Sequence, residues 1–179
     1  MNIQRIATSS LGLLATTLVS IAGYEHYTSQ AIIPVPGDVP TYGHGTTRHA
    51  DGTPVQLGDI TSPTRALVDL LRDASAAEKA VKRCAPVPMH PWEFSAYVSL
   101  TYNVGEGAFC GSSIPTKLKA GQYDAACATI LDFSKMRDCT KPKVWNAKKQ
   151  RLECPLIEVR GLLNRRQSEY QTCIGTAQG

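Results

Sequence analysis

Apolar residues recur at helical spacing in the stretch that follows Ser62 and Pro63. This pair favours a helix start, because serine caps a first turn well and proline fits the first helical position. The apolar positions that follow on one face are Leu67, Leu70, Leu71, Ala74, Ala77 and Val81. The pattern predicts one long helix with a buried stripe that links two parts of the chain.

Three shorter stretches also carry helical patterns, at residues 92–103, 123–133 and 158–173. Residues 48–60 are instead polar and rich in turn-forming residues, which is typical of short strands in a small sheet. The chain has 179 residues, 42% of them hydrophobic and 19% charged, with no visible internal repeat. These proportions suit one globular domain with its own core.

Residues 23–47 break the helical pattern and hold two carboxylates. Two prolines and a glycine between positions 34 and 37 predict a helix end that carries Glu25, followed by a tight hairpin that carries Asp38 and Thr41. Two carboxylates that face a cleft from different elements are the minimum for glycoside hydrolysis, where one is protonated and the other ionised. Such a pair is also common among solvated surface groups, so other residues must show whether this pair is catalytic.

This stretch resembles the catalytic region of phage-type lysozymes (endolysins, glycoside hydrolase family 24). That family has a Glu, an Asp about nine residues later and a Thr about six further, which opens a Thr-Ile-Gly-aromatic-Gly turn. Here the turn reads TYGHG at residues 41–45 and departs from the family at Tyr42 and His44. Family spacing would place the aspartate at Pro34, so the resemblance transfers its role to Asp38, the only aspartate in the interval.

Two later blocks carry the same resemblance in the same order. Residues 99–121 are similar to the family's Asn-Val-Gly, Ala-Phe and Ser-Thr-Leu segment, and residues 161–169 to its closing Gly-Leu, Arg-Arg and Glu helix. In that helix we expect Arg165 and Glu169 to pair in a structural role. The resemblance implies an α+β, mainly α fold over residues 23–179: a lysozyme-like two-lobed domain with a small antiparallel β-sheet lobe and a larger helical lobe.

The resemblance implies an endolysin with muramidase activity on peptidoglycan glycan strands. Glu25 would protonate the oxygen of the β-1,4 bond between N-acetylmuramic acid and N-acetylglucosamine, while Asp38 activates a water held by Thr41, with inversion at the sugar carbon. The substrate-binding residues implied by the turn are Tyr42, Gly43 and His44. No cofactor or metal is expected, and the four histidines lack the HExxH spacing of a zinc peptidase.

Two other functions stay open. A lytic transglycosylase needs one catalytic glutamate without the Asp and Thr pair, and would release anhydro-sugar products. A secreted cell-wall-binding protein would cleave nothing. The presence of both Asp38 and Thr41 weighs against the transglycosylase, and the wall-binding alternative stays open.

Residues 1–22 predict an export segment. Arg5 precedes an uncharged run over residues 6–22, shorter than the roughly 20 apolar residues of a usual membrane span. Seven small polar or glycine residues dilute that run, namely Thr8, Ser9, Ser10, Gly12, Thr16, Thr17 and Ser20. The segment is either a cleaved signal peptide, with Ser20 and Ala22 before the cut, or an uncleaved weak signal-anchor.

We expect the signal-anchor, because cleavage would leave Glu25 on a frayed terminus. This resembles signal-anchor-release endolysins. The resemblance implies an inner-membrane-tethered protein with its catalytic domain in the periplasm, later released there in soluble form. The segment lacks a cysteine, which excludes activation by thiol exchange within it.

The chain contains an even number of cysteines, at positions 84, 110, 127, 139, 154 and 173. In an exported chain this predicts disulfides, and the absence of a CxxC pair disfavours a zinc ribbon. Many pairings are possible. We expect Cys139–Cys154 to close a basic loop, Cys110–Cys127 to join neighbouring helices, and Cys84–Cys173 to hold the C-terminus.

The net charge is +4, and residues 135–166 hold ten Lys and Arg against three acids. A basic face favours an anionic partner such as the bacterial cell wall. No nucleic-acid-binding motif accompanies these charges, so we expect no nucleic-acid partner, and we expect a monomer. Trp145 among these lysines would either stack on a sugar ring or cover the base of its loop.

Overall fold

A computed structural model describes residues 4–35, 37–147 and 149–176. Within them the helices are α1 (Ala15–Glu25), α2 (Pro63–Cys84), α3 (Pro91–Val104), α4 (Glu106–Gly111), α5 (Ile114–Lys119), α6 (Tyr123–Ala128) and α7 (Arg160–Cys173), with 3-10 turns at Thr8–Ser10 and Thr129–Ser134. The strands are β1 (Thr28–Ile32), β2 (Thr41–Gly43), β3 (Lys135–Arg137), β4 (Val144–Asn146), β5 (Arg151–Glu153) and β6 (Leu156–Glu158). The predicted α+β, mainly α class is confirmed.

The predicted long helix is α2, and its start follows the expected chemistry, since the Ser62 hydroxyl accepts a hydrogen bond of 3.2 Å from the Arg65 amide. Its buried stripe differs in part from the prediction. Leu67 and Leu71 are 55% and 49% exposed. The buried side of α2 runs instead through the neighbouring positions 66 and 70. The buried apolar residues of α2 are Ala66, Leu70, Ala74, Ala77, Ala80 and Val81.

Helix α3 is the centre of the helical lobe and packs against both α2 and α7. Phe94, Tyr97 and Leu100 are fully buried along it. Burying large apolar side chains on most sides of one helix gives this lobe its core, at roughly 1.5–3 kcal/mol for each large side chain.

Three disulfides connect the cysteines, and Cys139–Cys154 is confirmed. The other two predicted pairings were wrong: Cys84 bonds to Cys110, and Cys127 bonds to Cys173. The reason is tertiary. Helix α4 packs beside α2, and α7 returns past α6, so these helices set the partners.

The sheet lobe is smaller than the pattern predicted. Strands β1 and β2 pair antiparallel around a minor core of Ala31, Tyr42 and Val55. The expected further strands at residues 48–60 are isolated bridges, because close turns at Gly52 and Gly58 reverse the backbone before a ladder forms.

The segment that holds the predicted basic loop contains short strands. We call residues 135–158 the basic loop. Strands β3 and β6 pair as its stem, and β4 and β5 pair farther out, both antiparallel. The helix predicted at 123–133 is also altered, since α6 ends at Ala128 and a 3-10 turn completes it.

The chain before α1 lies along the helical lobe. Ile6 and Met89 exchange two backbone hydrogen bonds of 3.0 and 2.9 Å, and Leu11 is buried. Helix α1 then runs to Glu25, so the expected boundary at residue 22 falls inside it. Among the described residues, no helix has the length and apolarity needed to cross a membrane.

Candidate active site

A cleft of about 560 Å³ lies between the lobes. Glu25 enters it from the end of α1, Asp38 from the hairpin and Thr41 from the start of β2, while Tyr102 of α3 and Asp73 of α2 line its other walls. The fold therefore brings all three residues of the predicted catalytic set to one cavity.

Glu25 is the last residue of α1 and its side chain is 19% exposed. His26 follows with a φ of 52°, an unusual conformation for a residue with a side chain, and turns the chain toward β1. The Glu25 Oε1 atom accepts a hydrogen bond from Nη1 of Arg165. The catalytic candidate is thus held at a helix end by a residue of the last helix.

Arg165 is buried, at 5% exposure, within a network of charges. Its Nε donates to Oε1 of Glu169 over 3.1 Å, and Ser99 donates to the same oxygen over 2.7 Å. Arg166 pairs with the other Glu169 oxygen at 2.8 Å. Two arginines and two glutamates, counting Glu25, balance in charge, which is how buried ions are tolerated. The expected Arg165–Glu169 pair is confirmed, but its contact with Glu25 was missed.

The turn at residues 41–45, which we call the glycine turn, lies directly against Glu25. A Cβ on Gly45 would stand 3.2 Å from the Glu25 Oε2 atom, and Gly45 has a φ of +87°. A Cβ on Gly43 would be 3.0 Å from the Cβ of Ala66 on α2. Glycine is required at both positions because the backbone approaches its neighbours closely and turns in the left-handed region.

The three residues predicted to bind substrate are placed differently from one another. Gly43 lines the cleft. The backbone carbonyl of His44 accepts a hydrogen bond of 2.7 Å from the hydroxyl of Tyr102, which itself lines the cleft. Tyr42 is only 3% exposed, and its hydroxyl bonds to Nδ1 of His49 at 3.1 Å. The Tyr42 side chain therefore supports the turn from behind and is not among the described residues that line the cleft.

Tyr102 connects the glycine turn to the helical lobe. Burial raises the pKa of its hydroxyl, and the nearby Glu25 carboxylate raises that pKa further. The hydroxyl therefore keeps its proton and remains a donor to the turn.

Asp38 lies at the exposed end of the hairpin. Its Oδ1 accepts a hydrogen bond of 2.9 Å from the amide of Val39, and its own amide donates to the carbonyl of Val35 over 3.0 Å. Pro34, where family spacing would place an aspartate, also lines the cleft. Both the expected position and the substitute aspartate thus reach the same cavity.

Asp73 is a cleft residue that the sequence did not reveal. Thr46 donates to its Oδ2 over 3.0 Å, and Arg72 pairs with its Oδ1 at 2.8 Å. Burial raises the pKa of Asp73, although both partners oppose that shift. An aspartate on the polar side of a long helix carries no signal in sequence, and only the packing of α2 against the turn brings it here. In the part of the chain that is described, no cluster of three or more His, Cys, Asp or Glu could hold a metal ion.

Comparisons with known proteins show which family the chain is similar to. The sequence pattern of the family described as Phage lysozyme matches residues 22–169. The endolysin of Salmonella phage P22 is 31% identical over 97 residues, which cover 54% of this chain and 66% of that protein, just under two thirds of its length. An endolysin from Acyrthosiphon pisum secondary endosymbiont phage 1 is 29% identical over 129 residues, covering 72% of this chain and 75% of that protein.

A solved structure is similar over nearly the whole chain. The endolysin from Escherichia coli O157:H7 phage FAHEc1 superposes with a TM-score of 0.76 at 27% identity, covering 93% of this chain and 96% of that one. The overall fold of this chain therefore recurs in a solved endolysin.

Proposed function

The chain belongs to the phage lysozyme family and is a lysozyme-type endolysin, and from that premise we propose that it cleaves peptidoglycan by the inverting chemistry of glycoside hydrolase family 24. The bond broken is the β-1,4 linkage between N-acetylmuramic acid and N-acetylglucosamine. The observation that carries this proposal is the convergence of Glu25, Asp38 and Thr41 on one interlobe cleft.

Each residue has a distinct role in the proposed reaction. Glu25 protonates the oxygen of the leaving sugar, and Asp38 activates a water that the Thr41 hydroxyl orients. An inverting reaction needs space for that water between carboxylate and sugar. A cleft of about 560 Å³, entered by Glu25 and Asp38 from different elements, supplies such space. Gly43 and the His44 backbone form the surface on which the sugar lies, with Tyr42 supporting them from the core.

Arg165 has a positioning role in the proposed reaction. Its Nη1 donates to the Glu25 carboxylate and its Nε donates to Glu169, so the guanidinium links the proposed acid to the buried part of the last helix. We therefore assign Arg165 to positioning the Glu25 carboxylate in the cleft.

Mass spectrometry of digested peptidoglycan tests the proposal and separates it from the alternatives. Hydrolysis gives products with reducing ends, a lytic transglycosylase gives anhydro ends, and a wall-binding protein gives no cleavage. Glu25→Gln should remove cleavage with the fold intact, because general acid catalysis contributes about 10²–10⁴-fold. A Glu25→Gln protein that keeps over half its activity contradicts the assignment.

We also propose that residues 1–22 act as a weak signal-anchor in the inner membrane before release to the periplasm, and that the released enzyme is a monomer. Residues 15–22 and Glu25 share helix α1. While residues 6–22 lie in a bilayer, Glu25 would be at the membrane surface and away from Asp38 and Thr41. When residues 6–22 leave the bilayer and dock along the helical lobe, Glu25 therefore joins Asp38 and Thr41 in the cleft in the same step.

Leucines at Ser9, Gly12 and Thr16 should hold the protein in the membrane and prevent lysis, since each leucine favours insertion by roughly half a kcal/mol. Fractionation before and after a protonophore measures this. A soluble product that begins near Gly23 from the outset would establish a cleaved signal peptide instead.

A further inference from the structure

The basic loop carries the whole net charge of the chain. Seven Lys and Arg stand against three acids in residues 135–158, while the remainder has twelve of each, and the full chain is +4. The strands of the loop pack on one another and contact the helices only weakly. A charge excess confined to one protruding element gives that element a strong local potential.

The outer hairpin of the loop displays an apolar pair. Trp145 of β4 and Leu152 of β5 face each other in the ladder, and they are 63% and 59% exposed. Residues that face each other across an antiparallel pair lie on the same side of the sheet. Leu156 of β6 is also exposed, whereas the exposed Val144 pairs with Glu153 and lies on the opposite side of the ladder.

The other side of this hairpin is charged and ordered. Glu153, at 8% exposure, is paired with Arg137 at 2.9 Å, Arg151 at 2.7 Å and Lys149 at 3.2 Å. One carboxylate thus fixes three cations whose side chains remain largely exposed. The Cys139–Cys154 bond closes the hairpin between stem and tip. Cations and apolar side chains are therefore held together on one braced element.

We propose that the basic loop binds the surface of a bilayer that contains anionic phospholipid of the phosphatidylglycerol type. Aliphatic side chains and tryptophan enter the boundary between headgroups and acyl chains, and lysines and arginines pair with the phosphates beside it. A hydrated glycan or a nucleic acid would match the cations but leave the exposed Leu152 and Leu156 without an apolar partner. In the described chain no residue of the loop lines the cleft, so the enzyme keeps its cleft open while the loop is bound.

Flotation of the full chain with vesicles measures this binding. Wild-type protein should float with vesicles of phosphatidylcholine containing about a quarter phosphatidylglycerol, and much less with phosphatidylcholine alone, since lysines and arginines are attracted to an anionic surface. The double variants W145S/L152S and K141Q/K143Q should each lower partitioning at least about tenfold. Their matched controls are L57S, at an exposed leucine of the sheet lobe, and K79Q, at an exposed lysine of α2. Residues 1–22 are the same in every protein tested. Their own membrane affinity therefore does not cause a difference between a loop variant and its control.

Fluorescence locates the contact. In a W92F background Trp145 is the only tryptophan, and its emission should shift to the blue on adding anionic vesicles. Unchanged emission, or loop variants that float like their controls, would overturn the proposal. So would loop variants that lose binding to purified peptidoglycan sacculi but keep binding to vesicles, because the partner would then be the wall glycan. Cleavage of soluble glycan fragments should be the same in wild type and loop variants, which keeps this test separate from that of the catalytic residues.

Discussion

Arg165 donates a hydrogen bond to the carboxylate of Glu25 across 140 positions of sequence. The same guanidinium contacts Glu169 and the carbonyl of Ser99, and it lies 4.8 Å from the centre of the Tyr24 ring. The residue that holds the predicted acid is therefore part of a buried charge network.

Replacing Arg165 should damage both stability and activity. Arg165→Met leaves Glu169 buried without one of its partners, which typically costs about 3–5 kcal/mol of unfolding free energy. Arg165→Lys should lose less stability, because it keeps the charge, but it loses the forked contacts that hold Glu25. Denaturant unfolding and peptidoglycan cleavage measure the two effects. Arg160→Met, at an exposed position of α7, should change stability by no more than about 0.5 kcal/mol.

Adding one methyl group at Gly45 should impair the site through Glu25. Gly45 and Gly52 have nearly equal φ values of +87° and +86°, but only at Gly45 would a Cβ meet Glu25. Both alanine substitutions should introduce the same backbone strain and lower stability by roughly 1–2 kcal/mol. Gly45→Ala should in addition lose about ten- to a hundredfold in turnover, since small displacements of a catalytic group are costly. Equal activity in the two variants would show that Glu25 is not sensitive to this contact.

The assignment of Asp38 rests on its place in the cleft and not on family spacing. Asp38→Asn should lower turnover by about 10²–10⁴-fold, and Thr41→Ala should be more severe than Thr41→Ser, which keeps a hydroxyl. Steady-state cleavage rates with purified peptidoglycan measure both. Asp51→Asn, at an exposed turn outside the cleft lining, should behave as wild type. If Asp38→Asn also does, another group activates the water.

Glu153 should make the basic loop sensitive to acid. Glu153 accepts hydrogen bonds that lower its pKa to about 2. The bond from Arg151 has the largest effect, and the bond from Asn146 has the next largest. This folded-state pKa is below the value of about 4.3 that a glutamate has in an unfolded chain. The ionised Glu153 therefore stabilises the folded state fully above about pH 4.3, and this stabilisation is lost as the pH falls toward about 2. Carboxyl NMR titration measures the pKa directly.

The matched comparison is between two glutamine variants. Glu153→Gln should melt below wild type at pH 7, and this difference should shrink as pH falls from about 4 to about 2. Glu158→Gln, at an exposed position of β6, should show no such pH-dependent difference. A Glu153 that titrates near 4 would mean that the cations around it are not held in place in solution.

Local patterns determined much of this protein. The start of α2 follows from a serine cap and a proline, and the α+β class followed from the resemblance to the family. The ordered blocks around Glu25, residues 99–121 and Arg165 identified the family that the comparisons confirmed. The Cys139–Cys154 pairing was also predicted, and it closes a local loop of 15 positions. Each of these depends on residues that are near one another in the chain.

The tertiary structure decided the rest, because helix packing brings together residues whose sequence neighbourhoods carry no information about each other. The partners of Cys84 and Cys173 depend on which helices lie side by side. The burial of Tyr42 and the position of Asp73 depend on α2 passing beneath the glycine turn. The bond from Arg165 to Glu25 exists because the first and last helices both reach the core around α3, a contact that no periodicity or motif specifies.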